Sequence, residues 1–397
     1  MAAAPLLLHG SGRCFDGARI RVGWALLTDA DGRIAWMGGT LATAPSTDAD
    51  RIDLGEALVT PGLVDSHTHP VFAGDRADEA AARHDGVAYG GGGILRTVRQ
   101  TRAASDEELE ALVRRRLDAA LAAGTTTVEC KSGYGLSTHE ELRALRLLGR
   151  VAASHPVRVV RTLLGAHAVP PEAASADAHV EVVCREMIPA AAADGLAEYV
   201  DVFCDRGFFN IAHLERIAAA ATDHGLGLRL HADQLGLTGA AQAGVRLGAA
   251  SVDHLEQLDA AGVAALAGSA TVATLLPAPA IVLRDSLPPA RALLDAGATV
   301  ALASDANAGT YGGWGAMPLV IGLGSALLEM SAIEALTAAT GAAAQALGRA
   351  GLIGTLAPGA RADLVAWDAT HEGAFWLTLG RLAPRRTFIG GRESTST

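Results

Sequence analysis

Short apolar runs recur along the middle of the chain, each closed abruptly by polar residues. They are Leu63–Val64, Thr126–Cys130, Val157–Leu164, Tyr199–Cys204, Gly227–Leu230, Ser251–Val252, Val272–Leu276 and Val300–Ala303. Runs of this length, β-branched and bounded by turn residues, predict buried strands. Between them lie Ala- and Leu-rich stretches with helical spacing, including 190–193 and 218–221, which read as helix interior. Several of these open with a serine followed three residues later by glutamate: Ser105 with Glu108, Ser137 with Glu140, Ser331 with Glu334. That is the capping-box pattern of a helix start. Strands alternating with helices over roughly 250 residues predict a (β/α)8 barrel of the TIM type, in the α/β class. An open doubly wound sheet usually carries a Gly-rich turn after its first strand. Here the first strand runs into His67-Thr-His69 instead, so the barrel is favoured.

The two ends of the chain keep a different rhythm. Ile20–Val22, Trp24–Leu27 and Ile34–Trp36 are separated by Asp-Gly and Gly-Gly turns, and 354–367 and 386–391 are β-rich as well. Residues 1–58 and 350–397 are therefore expected to form one small β-sandwich domain beside a barrel spanning 59–349.

In such a barrel the side chains just past each strand gather at one rim, where the chemistry sits. That rim would bring together His67, His69, Glu129, Lys131, His167, Asp205, His231, Gln234, His254, Asp305 and Asn307. His67 and His69 are two apart, so an extended backbone points both to the same side. With His231 and Asp305 they make three imidazoles and one carboxylate. This set suits a single divalent or trivalent ion, zinc first and iron second, with water in an open position. Asp305 could then take a proton from an attacking water and return it to a leaving nitrogen. His254 is either a further ligand or a donor to a carbonyl oxygen that turns negative. Lys131 reads as a helix-capping or substrate-orienting lysine, ahead of a bridge between two metals.

Composition narrows the partners. A net charge of −11 over 397 residues argues against nucleic acid and against an anionic membrane surface. Cys14, Cys130, Cys184 and Cys204 have no paired spacing and read as thiols of a reducing compartment. No basic leader opens the chain and no apolar run is long enough to span a bilayer, so a cytoplasmic location is expected.

Longer stretches carry a resemblance. Pro61 to Arg76, Gly91-Gly-Gly-Ile94 leading to Thr97–Arg102, Thr125 to Leu136, Leu164-Gly-Ala-His-Ala168 with Pro170-Pro-Glu172, and Val200–Cys204 look like the amidohydrolase superfamily. More narrowly, they resemble its imidazolonepropionase family. The resemblance runs from about Val59 to Asp368. It implies metal ligation by His67, His69, His231 and Asp305, and catalytic roles for Asp305, His254 and Gln234. It also implies substrate binding by Arg76, Tyr134 and His167, with Asn307, Gly309 and Thr310 near the product. A planar guanidinium at Arg76 suits a substrate carboxylate. The implied reaction is hydrolysis of a ring amide in a small carboxylate-bearing substrate, by an enzyme that works as a homodimer. The chain departs from the family at the strand-end loops 277–281 and 308–315. A related cyclic amide or imide is the alternative substrate. An aminohydrolase acting on a heterocyclic base is a rival, opposed by Gln234, which cannot ionise where those enzymes want a carboxylate. A non-catalytic scaffold barrel would be expected to lack ligands.

Overall fold

The computed structural model describes residues 4–85 and 93–394, so Gly91 and Gly92 of the family-like stretch lie outside the described residues. Eight parallel strands run in sequence order: Leu63–Asp65, Thr125–Lys131, Arg158–Ala166, Tyr199–Cys204, Gly227–Ala232, Ser251–His254, Val272–Leu275 and Val300–Leu302. The first and eighth are joined by backbone and side chain. Asp305 N–H donates to His67 O at 3.0 Å, and His69 N–H donates to Ala306 O at 3.0 Å. Beneath them the Ser304 hydroxyl donates to Asp65 Oδ2 at 2.6 Å. Joining the outer strands converts an open sheet into a barrel and brings the histidine pair beside Asp305.

Each strand is buried on both sides, which is why the sequence shows near-continuous apolar runs. Outward residues such as Val128, Leu163, Val200, Val202, Leu230 and Val252 pack into one core with the helices. The alternate positions are polar and fully buried: Glu129, Lys131, Asp201, Arg229 and Asp253. Ser105, Ser137 and Ser331 each cap the helix predicted for them, accepting from the backbone N–H of Glu108, Glu140 and Glu334. Of these, Ser331 closes the reciprocal box, with Ser331 N–H donating to Glu334 Oε2 at 2.8 Å. The stretch 277–281, expected as a loop, instead begins the helix Pro277–Leu283. Proline lacks the donor that a helix's first turn leaves unpaired anyway, so it starts this helix at no cost in hydrogen bonds. Residues 190–193 close the helix Ile188–Ala193, which continues a π-helical turn at Val183–Met187.

The terminal segments share one eight-stranded sheet. Its path runs Arg392–Ser394, Pro384–Ile389, Leu364–Trp367, Val59–Pro61, Leu6–Phe15, Ile20–Thr28, Ile34–Gly38, and Asp50–Asp53 pairs with Leu6–Phe15. Leu8, Trp24, Leu26 and Ile34 from one end meet Leu364, Ala366 and Phe388 from the other in a common apolar cluster. Val59–Pro61 thus belongs to this sheet, and the barrel begins two residues later. Among the described residues, no helix is long and apolar enough to cross a membrane.

Candidate metal centre and active site

Four of the rim side chains gather in one cluster around His69. His69 Nε2 lies 3.2 Å from His67 Nε2 and 3.4 Å from His231 Nε2. Asp305 Oδ1 lies 3.6 Å from His67 Nε2 and 3.3 Å from His69 Nε2. All four residues are buried. Two of the imidazoles are held in a definite tautomer. His67 Nδ1–H donates to Asp253 Oδ2 at 2.7 Å, and His231 Nδ1–H donates to Asp201 Oδ1 at 2.9 Å. Their Nε2 lone pairs therefore face inward, toward one another. Burial pushes the His67 imidazole well below its usual range, with Lys131 adding to the effect. Burial likewise brings His231 down to about 4 against the pull of Asp201. Both are neutral near pH 7, as a ligand must be.

This donor set fits a metal. Four ligands about 2.1 Å from one tetrahedral cation stand about 3.4 Å from each other. His67, His69 and Asp305 form a triad with such spacing, and His231 joins it through its 3.4 Å approach to His69. Carboxylates behind two of the imidazoles complete the usual arrangement around a bound ion. Asp305 is held ionised at about 2: burial opposes its charge, and the His69 hydrogen bond and the neighbouring imidazoles outweigh it.

His254 stands at the edge of the cluster, its ring 5.7 Å from that of His67 and 5.4 Å from that of His231. A nitrogen of His254 lies close enough to those of His67 and His231 for a second candidate ligand triad. Its Nδ1 faces Glu256 Oε1 at 3.4 Å. Burial lowers its pKa, but the Glu256 carboxylate wins and lifts it to about 9. A charged imidazole is a poor metal ligand and a good hydrogen-bond donor, which favours the oxyanion role over ligation. The backbone is left-handed at Asp233, His254, Leu255 and Asp305, with φ of 50°, 85°, 72° and 48°. Non-glycine residues held there concentrate at functional sites.

Above the cluster a pocket is lined by His69, Arg76, Tyr134, His167, His231, Gln234, His254, Asp305, Asn307 and Thr310, with Ile94 and Phe203 supplying apolar wall. The His167 ring stacks on His69 at 5.3 Å and sits 5.2 Å from the Tyr134 ring. His167 Nδ1–H donates to Gly133 O at 2.8 Å, and burial keeps the imidazole neutral, so Nε2 is an acceptor. Gly133 has φ of 97°, and a Cβ there would lie 3.1 Å from His167 Nδ1. The Arg76 guanidinium pairs with Glu79 Oε2 at 2.7 Å and passes so close to Gly309 that a Cβ there would lie 2.2 Å from its terminal nitrogen. Asn307 spends its side chain inside its own loop. Its Oδ1 accepts from the N–H of Gly309 and Thr310, and its Nδ2 donates to Asp305 O and Thr310 Oγ1.

The family profile described as "Amidohydrolase family" matches residues 58–393. An imidazolonepropionase of Ectopseudomonas mendocina is 50% identical over 367 residues, covering 89% of this chain and 90% of the relative. One from Nocardia farcinica is 49% identical over 346 residues, covering 87% and 85%. This chain belongs to the imidazolonepropionase family of the amidohydrolases. Amidohydrolase structures of low identity share the fold. A 5-methylcytosine deaminase from Klebsiella pneumoniae superposes with a TM-score of 0.77 at 17% identity, covering 98% of both chains. An adenosine deaminase from Xanthomonas campestris with bound zinc gives 0.74 at 19%, covering 98% of this chain and 92% of that one.

Three rim assignments change within this amidohydrolase site. Lys131 caps no helix and does not line the pocket; it is fully buried, with Nζ 2.8 Å from Glu129 Oε1 and 2.7 Å from Asp201 Oδ2. Glu129 points into the barrel interior with it. Asp205 turns away to accept from the N–H of Arg206, Gln234 and Leu235, fixing the loop after the fifth strand. Asp201, Asp253 and Glu256 were missed by the rim logic. The first two lie inside strands, and their signal was a carboxylate interrupting an apolar run, as in Val200-Asp201-Val202.

Proposed function

We propose that this chain hydrolyses the ring amide of 4-imidazolone-5-propanoate to N-formimidoyl-L-glutamate, a step of histidine degradation. The observation that carries the reading is the convergence of His67, His69, His231 and Asp305 beneath a pocket that Arg76 also lines, in a chain 50% identical to an imidazolonepropionase. Those four residues would hold one cation. Zinc is proposed ahead of iron, because a set of three imidazoles and a carboxylate suits it. When bound, the cation supplies Lewis acidity toward the amide carbonyl and a water that ionises near neutral pH.

The chain's own residues do the rest. Asp305 takes a proton from the attacking water and passes it to the departing ring nitrogen. The C–O bond forms first, the ring C–N bond then breaks as its nitrogen takes the proton, and the former carbonyl carbon remains in the opened product as a carboxylate. Charged His254, with Nδ1 committed to Glu256, donates from Nε2 to the carbonyl oxygen as negative charge grows there. Arg76 grips the propionate, oriented by Glu79. Neutral His167 accepts from a ring N–H, Tyr134 flanks the ring, and Gln234 holds a substrate polar atom without moving protons. Asn307, Gly309 and Thr310 shape the loop against which Arg76 lies. The reading carries with it a homodimer working in the cytoplasm.

The test is turnover of freshly prepared 4-imidazolone-5-propanoate by zinc- and iron-loaded protein, with product identified by mass spectrometry. A panel of cyclic amides, imides and heterocyclic amines runs alongside. Conversion to N-formimidoyl-L-glutamate well above the panel is expected. Ammonia release from a heterocyclic amine, with the imidazolone untouched, would replace this reading with the aminohydrolase one. His69→Ala should lose bound metal and drop kcat/KM by about 1000-fold, the scale of several kcal/mol of lost charge stabilisation.

A further inference from the structure

Below the ligands, the barrel interior holds five charged side chains with no solvent exposure: Glu129, Lys131, Asp201, Arg229 and Asp253. Buried ions each cost several kcal/mol to desolvate, and replacing them with packed apolar residues is often neutral or stabilising. Stability alone therefore does not account for five of them in one layer. Their connections do. Asp201 reaches His231 Nδ1 with Oδ1 and Lys131 Nζ with Oδ2, at 2.9 and 2.7 Å. Asp253 Oδ2 is shared between His67 Nδ1 at 2.7 Å and the Arg229 guanidinium at 3.3 Å. Glu129 Oε1 ties the two cations together, 2.8 Å from Lys131 Nζ and 3.7 Å from Arg229 Nε. Arg229 is anchored further by donating to Ser66 O, one residue before His67, and to Ala346 O. Both cations keep their charge, since burial works against it and the carboxylates outweigh burial.

We infer that Lys131 and Arg229, yoked through Glu129, are positioning residues for the metal: each holds the carboxylate that fixes one ligand imidazole. Neither cation lines the pocket, so neither can act on substrate directly. Asp201 gives one oxygen to the imidazole and the other to Lys131, and Asp253 holds His67 and Arg229 on the same oxygen. Removing the cation frees the carboxylate to turn. The imidazole then loses the acceptor that points its lone pair inward. Two effects compete here. Simple Coulomb attraction says that deleting a buried positive charge near a cation site should tighten metal binding. Orientation says the reverse. The inference is that orientation wins.

The inference rests on the ligand set and not on the identity of the substrate, so its test needs no turnover. Lys131→Met protein is stripped with a chelator and titrated with Zn(II) against a chromophoric competitor, with folding checked by circular dichroism. The Co(II)-substituted form is recorded by visible absorption as a second readout of ligand geometry. Zn(II) affinity about 10- to 100-fold weaker, the usual loss for a partner behind a metal ligand, with an altered Co(II) spectrum, is expected. Because Lys131→Met leaves Asp201 and Glu129 without their cation, the double variant Lys131→Met/Glu129→Gln is measured in parallel. It removes one charge of each sign and still deprives Asp201 of its holder, so the same loss is expected. Zn(II) affinity unchanged or tighter in a folded double variant, with an unchanged Co(II) spectrum, would overturn the inference.

Discussion

At the scale of single residues, this site depends on which atoms are already committed. His67 and His231 each give Nδ1–H to a buried carboxylate, which leaves Nε2 no choice of direction. His254 is committed by Glu256, and Asn307 is committed to its own loop. Gly309 belongs in this company although it has no side chain. Its missing Cβ is the space in which the Arg76 guanidinium lies. Gly309→Ala should fold normally and push Arg76 off its rotamer, at a cost of about 1 kcal/mol. Steady-state kinetics should then show KM raised roughly five- to tenfold with kcat nearly unchanged. A lowered kcat at unchanged KM would place Gly309 in the chemistry instead of the carboxylate grip.

At the scale of elements, strand alternation does two jobs at once. Outward positions pack against helices, while inward positions carry the ion layer and, at the strand ends, the ligands. The helices are punctuated more locally. Ser331 caps Ala332–Ala338 through both halves of the box, and Glu334 is further tied to Arg291 at 3.1 Å. Ser331→Ala should cost about 1 kcal/mol in equilibrium denaturation, without touching kinetics, because the cap is on the surface and away from the pocket. The difference between expectation and structure at 277–281 is also local. A proline pair reads as a loop in isolation, but Pro277 occupies a first turn and the helix Pro277–Leu283 runs on from it.

At the scale of the molecule, the terminal sheet and the barrel are fastened by particular contacts. Trp367 is fully buried, donates from Nε1 to Thr60 Oγ1 at 2.9 Å, and packs edge-on to Phe375 at 4.8 Å. It lies in the barrel's core although its strand belongs to the terminal sheet. Trp367→Ala should destabilise the protein by about 3–5 kcal/mol, measured by thermal or chemical denaturation. Separate melting of barrel and sheet in the variant would show that this contact couples them.

The barrel and its rim are legible in the sequence. Buried parallel strands must be apolar on both faces, so their ends announce themselves as abrupt polar breaks, and His67-Thr-His69, His231 and Asp305 stand at such breaks. The ion layer was not legible, because Asp201 and Asp253 pair with His231 and His67 across 30 and 186 residues. Lys131 differs from its sequence reading for another reason: a charged residue near a strand end can face rim or interior, and the sequence does not say which. Periodicity is a one-dimensional property and the chain determined it alone. Which carboxylate stands behind which imidazole depends on how neighbouring strands are staggered around the barrel, and that only the closed tertiary structure decided.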